Sequence, residues 1–287
     1  MAKYKQARIP QRISIALLAL LTSLTGCTKD RSLAPPANSE QVTVQIKVPA
    51  ELKARTIDVM YRSTLCTFTD HSAYGAPYPR DGYQHMEIEP TRQGQSDIYE
   101  AKLPKDGGGA CHWQLSNVTF GVSYREPERF GENVVYGAGG GVVVIFDDNA
   151  SPRGGANIKV DGDLRIEENY YLWVDEEFIG NYRKSVSLTG PGDIYMMYKA
   201  PTAQFIYFEP ILHSTYIVYS AGPKIKKKGA VTKFNYPDGS VLENGDYEPR
   251  FQKLEAIRLA AEKNKDHADT RRAGPCRATA LHHLPHT

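Results

Sequence analysis

An excess of charge of one sign is missing from this chain of 287 residues, in which 35 Lys and Arg stand against 33 Asp and Glu. Four of those cations, Lys3, Lys5, Arg8 and Arg12, precede an apolar run at the amino terminus; without them 31 basic residues face 33 acidic ones, a charge of about −2. Nucleic acid is bound by displacing counterions from phosphates, which takes a basic surface, so that partner class is not expected. Unbroken apolar sequence is scarce too. The run 13–24 has 12 residues, against the roughly 20 a helix needs to cross a bilayer.

Catalytic signatures are also lacking. There is no G-x-S-x-G, no Ser, His and Asp set in a recognisable local frame, no H-E-x-x-H and no C-x-x-C. A nucleophile elbow, a zinc hydrolase and a dithiol centre therefore lose their usual frames. The glycine run 137–141 imitates a phosphate cradle, but the anion site needs a helix after the glycines, and the strand-like Val142 to Phe146 follows. A hairpin loop is expected there. Asp147, Asp148, Asp161 and Asp163 do not have EF-hand spacing. His282, His283 and His286 with Cys276 carry soft-metal donors, but on a tail without preformed geometry. No catalysis, cofactor or metal site is expected.

What the chain does contain is alternation. Val42, Val44, Ile46 and Val48 alternate with polar residues, as do Ile57, Val59 and Tyr61, and Val118, Phe120, Val122 and Tyr124. A period of two suits a strand with one dry face. Further strands are expected at 170–174, 194–198, 205–208, 215–219 and 231–236, with turns at 105–110, 136–142, 160–163 and 236–240. The fold class implied is mainly β, an antiparallel sandwich-like domain over 41–248. It would be either one large unit or two lobes, 41–150 and 151–248. Phe251, Leu254, Ile257 and Ala261 recur at helical spacing, which predicts one amphipathic helix over 249–266 and a mobile tail over 267–287.

The amino terminus reads as an export signal over 1–26, with cations first, then the apolar run, then small residues. It closes on Leu24-Thr25-Gly26-Cys27, a pattern that resembles a bacterial lipobox. There the cysteine thiol takes a diacylglycerol, and more than one acyl chain holds firmly. Thr28 and Lys29 follow without an aspartate, which favours the outer membrane, with the folded part facing the periplasm. The polar, proline-bearing stretch 27–40 then reads as the lipidated cysteine and a flexible tether.

With Cys27 given to lipid, Cys66 and Cys111 remain as a pair in an oxidising compartment, the alternative being two buried free thiols. Tyr195, Tyr198, Tyr207, Tyr216 and Tyr219 crowd one region of sequence. Exposed tyrosine favours protein interfaces, while core packing is the plainer reading. Lys226, Lys227 and Lys228 sit in a turn near Gly229. They would meet an acidic partner or anionic lipid, or merely guard a strand edge.

The stretches "YEAKLPKDGGGACHWQLSNVTFGVSY" at 99–124 and "YGAGGGVVVIFDDN" at 136–149 resemble small periplasmic lipoproteins encoded beside type VI secretion phospholipase effectors. Such proteins act as immunity proteins. The resemblance implies a partner, a secreted phospholipase-type effector, neutralised by binding and without catalysis. A structural or glycan-binding envelope lipoprotein is the alternative.

Overall fold

The computed structural model describes residues 30–148, 158–192 and 195–272. The expected signal, Cys27, Cys276, His282, His283 and His286 lie outside them.

In chain order the strands begin with β1 (Gln41–Lys47), β2 (Leu52–Ala54), β3 (Ile57–His71), β4 (Pro77–Ile88), β5 (Thr91–Arg92) and β6 (Ile98–Pro104). Next come β7 (Asp106–Gly108), β8 (Trp113–Tyr124), β9 (Val135–Tyr136), β10 (Gly141–Ile145) and β11 (Ile158–Lys159). The chain then forms β12 (Leu164–Glu177), β13 (Arg183–Thr189), β14 (Tyr195–Lys199), β15 (Phe205–Ala221), β16 (Lys233–Asn235) and β17 (Val241–Leu242), followed by helix α1 (Phe251–Arg272).

Two sheets result. One has the order β5-β6-β1-β15-β12-β13-β9, with β16 and β17 beside β15; the other has β11-β14-β10-β8-β3-β4, with β2 and β7 on β8. Their dry faces share a single core. Val42, Val44 and Ile46 of β1 and Ile57, Val59 and Tyr61 of β3 are all fully buried in it. Phe120 of β8 and Phe208 of β15 meet edge to face across the layers, 6.0 Å between ring centres, an arrangement aromatic rings favour. The chain is thus a β-sandwich-like fold with one helix near its carboxyl end, as expected.

Four details correct or sharpen the expectation. First, the sheets are mixed, not uniformly antiparallel: β1 and β12 both run parallel to β15, and β10 runs parallel to β14. After β13 the chain crosses to the other sheet for β14 and returns as β15, so spatial neighbours are not always sequence neighbours. Second, both sheets draw strands from both halves of the chain and close on the same core, so 41–150 and 151–248 are not separate lobes.

Third, the stretch expected as a free tether is docked from Asp30 onward. Ala34 donates its N–H to the Gly107 carbonyl at 2.9 Å, and the Arg31 carbonyl accepts from Trp113 Nε1 and Gln84 Nε2, each at 3.0 Å. Leu33 packs against the core. Fourth, the helix runs past 266 to Arg272, because no glycine or proline interrupts the sequence before Gly274.

The two short strands expected at 205–208 and 215–219 are one long strand, β15. Its pairing with β12 jumps from Tyr170–Leu212 to Leu172–Ile217, so three extra residues are accommodated on β15. An odd insertion turns a strand over. Leu212 and Ile217 pack against the sandwich core, whereas Val218 belongs to a second cluster with Tyr171, Phe234, Tyr236 and Leu254. That outer cluster is what α1 covers. Leu254 is fully buried, with Phe251 and Ile257 packed against the cluster, while Ala261 is exposed.

Candidate binding surface

β3 is held on one side by β8 and on the other by β4, but these partners differ in reach. Pairing with β8 stops at Arg62–Gln114, whereas pairing with β4 continues to His71–Pro77. Beyond Arg62 the β3–β4 hairpin therefore leaves the sandwich and projects as a two-stranded ribbon.

A bare ribbon of two strands is marginal in water, and this one is pinned at its base. Between Ser63–Gly82 and Phe68–Arg80 the register jumps by three residues on β3. Cys66 lies within that bulge and is bonded to Cys111, the two Cα atoms 5.4 Å apart and 45 residues apart in sequence. Pairing these two cysteines is thus correct. The Ser63 hydroxyl donates to the Cys111 carbonyl and accepts the N–H groups of Leu65 and Cys66 at 3.1 Å.

The projecting part is aromatic and internally braced. Arg80 Nη1 lies 2.7 Å from Asp70 Oδ2, and the Tyr78 hydroxyl donates to the same oxygen at 3.2 Å. The Arg80 guanidinium sits 5.7 Å from the centre of the Phe68 ring, which meets Tyr83 edge-on at 5.8 Å. The hydrogen bond from Arg80 holds the Asp70 carboxyl below its usual range, with the His71 N–H adding to it. At the tip the Ser72 hydroxyl accepts from the N–H of Ala76 at 3.1 Å, and Gly75 takes φ +77°, a left-handed turn that favours glycine. Tyr74 is 99% exposed, and Tyr83 and Leu65 are each more than half exposed. Rigid, exposed Tyr and Arg are the side chains that protein interfaces favour.

Sequence reasoning missed this surface. Its signal was present in "SAYGAPYPRDGY", where tyrosines recur among turn formers soon after a cysteine; Pro77 and Pro79 fit only an edge strand, which β4 is.

The tyrosines that were singled out do not converge. Tyr195 and Tyr198 lie on β14 in one sheet; Tyr207, Tyr216 and Tyr219 lie on β15 in the other. Tyr198 is buried, and burial pushes its hydroxyl up to about 12. Tyr207 donates to Glu209 and lies under Arg165, 4.4 Å from ring centre to guanidinium. Tyr216 packs against Tyr171 in the cluster beneath α1, and Tyr219 is about half exposed. Alternation along each strand and the division between sheets scatter them.

Lys226, Lys227 and Lys228 stand exposed in the loop between β15 and β16, next to Ile225, which is also exposed. The glycine run is not a hairpin loop. It carries the chain from β9 in one sheet to β10 in the other, and a Cβ on Gly139 would lie 1.8 Å from the Leu188 carbonyl oxygen. A strand follows it, as expected.

Three of the four aspartates serve separate local contacts. Asp148 pairs with Lys199 at 2.5 Å and Asp163 accepts the N–H groups of Gln204 and Phe205. Asp147 stands 4.0 Å from Arg62. Compared with protein families, with curated proteins and with solved structures, the chain matches none.

Proposed function

We propose that this chain is a lipid-anchored, periplasm-facing outer-membrane protein that binds and neutralises a phospholipase-type toxin of type VI secretion, with no catalysis of its own. The projecting β3–β4 hairpin is the observation that supports a binding role. A convex, braced element loses little conformational entropy on entering a cleft, and the tyrosines supply contact area. The toxin class rests on the resemblance of 99–124 and 136–149.

The docked strap bears on the same reading. Asp30 lies against Cys111, its carbonyl 4.0 Å from Sγ, at the end of the sandwich from which the hairpin departs. Three residues from Cys27 span at most about 11 Å. An anchor on Cys27 would therefore keep the hairpin end close to the lipid, where a phospholipase works and where tethering raises the effective concentration of the inhibitor.

The test is a complex. Protein lacking residues 1–27 is mixed with the product of the neighbouring effector gene, and co-elution together with loss of lipase activity is expected. Absence of both would end the proposal. Mass spectrometry of the cellular form addresses the anchor separately, and an unmodified amino terminus would remove it.

A further inference from the structure

We infer that Asp58, His85 and Glu87 form a divalent transition-metal site of the zinc type on the outer face of the β3–β4 ribbon, where it is still part of the sandwich. Side chains of a strand alternate, so His85 and Glu87, two apart on β4, share a face. In the register Glu87 lies directly opposite Asp58, and His85 lies opposite Met60, one step along the same face. One ligand atom from each of the three lies within 4.8 Å of the others, and His85 Nε2 is already 3.2 Å from Asp58 Oδ1.

Donors around a tetrahedral zinc ion sit about 2.0 to 2.2 Å from the metal, so small side-chain rotations would close this set. One imidazole and two carboxylates suit zinc and its neighbours better than calcium, which takes six to eight oxygens. Solvent or a partner's side chain would complete the coordination.

The register supplies an independent reason for a cation. Like charges directly opposite on neighbouring strands are unfavourable, and Asp58 faces Glu87. Asp58 has His85, but Glu87 makes no hydrogen bond or ion pair among the described residues. Glu89, next on that face, is engaged by the Thr56 hydroxyl, which leaves three ligands. The frame is firm, since β3 is flanked here by both β8 and β4. A bound ion would tie β3 to β4 below the point where the hairpin leaves the sandwich. This inference is independent of the toxin reading.

The test uses the chain from Thr28 onward, which removes the Cys27 thiol, with the competing tail donors silenced by Cys276→Ser, His282→Ala, His283→Ala and His286→Ala. Calorimetric titration with Zn²⁺ should give one equivalent bound, and Co²⁺ should give the visible absorption of a low-symmetry site. His85→Ala and Glu87→Gln should each lower the affinity at least tenfold. In both variants an unchanged far-ultraviolet circular dichroism spectrum and melting midpoint without metal would show an intact fold. Zinc should also raise the midpoint of the parent and not of His85→Ala. No binding by the tail-silenced parent, or binding indifferent to His85→Ala, would overturn the site and leave an ordinary His85–Asp58 hydrogen bond.

Discussion

The carbonyl oxygen of Cys66 lies 1.8 Å from where a Cβ on Gly82 would be. The bulge that carries the disulfide and the strand opposite it thus touch backbone to backbone, and only glycine fits. Gly82→Ala is expected to lower stability by about 1–3 kcal/mol, the usual cost of forcing atoms into a filled site, with the loss seen in thermal melting. A melting midpoint unchanged from the parent would mean that the ribbon's base yields freely.

Removing the disulfide acts on the unfolded chain. Closing a loop of 45 residues contributes roughly 4 kcal/mol on the chain-entropy account. The double variant Cys66→Ser, Cys111→Ser should lose most of that in urea unfolding, and Phe68 and Tyr83 should become more accessible to proteolysis of the ribbon.

Tip substitutions should separate binding from folding. Tyr74 is nearly fully exposed and its ring supports nothing in the core, so Tyr74→Ala is expected to shift stability by less than about 0.5 kcal/mol. If the hairpin is the contact element, affinity for the effector should fall by more than about 1 kcal/mol, as for an interface anchor. Full affinity in Tyr74→Ala, Tyr78→Ala would move the contact elsewhere.

The seating of α1 should depend on pH. His213 stacks on Tyr171 at 5.2 Å and meets Asn169 at 2.8 Å. Burial, then Arg258, lowers its pKa, while Glu255 and Glu262 pull the other way. Its folded value lies below the unfolded value of about 6.5, so the unfolded chain binds more protons in between. The contribution is complete above about 6.5 and is lost as pH falls through the folded value. Glu168, raised by burial and then by Glu255, gives the opposite slope, lost as pH rises. The difference between parent and His213→Gln isolates the histidine, and identical pH profiles would refute its role.

The same helix is fixed by one apolar side chain. Leu254 is fully buried against Tyr171, Phe234 and Val218, so Leu254→Ala should cost about 2–5 kcal/mol. Hydrogen exchange should show α1 loosening before the sandwich if that cluster is what holds it.

Sequence alone determined the elements whose apolar residues follow one clean period. β1 and the first half of β3 alternate without interruption, and the first turns of α1 repeat at helical spacing, so there the local pattern and the final burial agree; in β8 the alternation runs from Val118 to Tyr124, but a bulge beside Ser116 and burial on both faces from Phe120 onward depart from it. Cys66 and Cys111 were legible as a pair because few cysteines were available. Tertiary structure decided what depends on partners. Where β8 stops pairing creates the projecting ribbon; an odd insertion in β15 turns one strand toward two cores; and residues 30–34 became a docked strap because Trp113 and Gln84 happen to lie beside them. Periodicity reports which face of a segment is dry, but not which distant segment makes it so, and the hairpin surface and the Asp58–His85–Glu87 cluster both arise from that second choice.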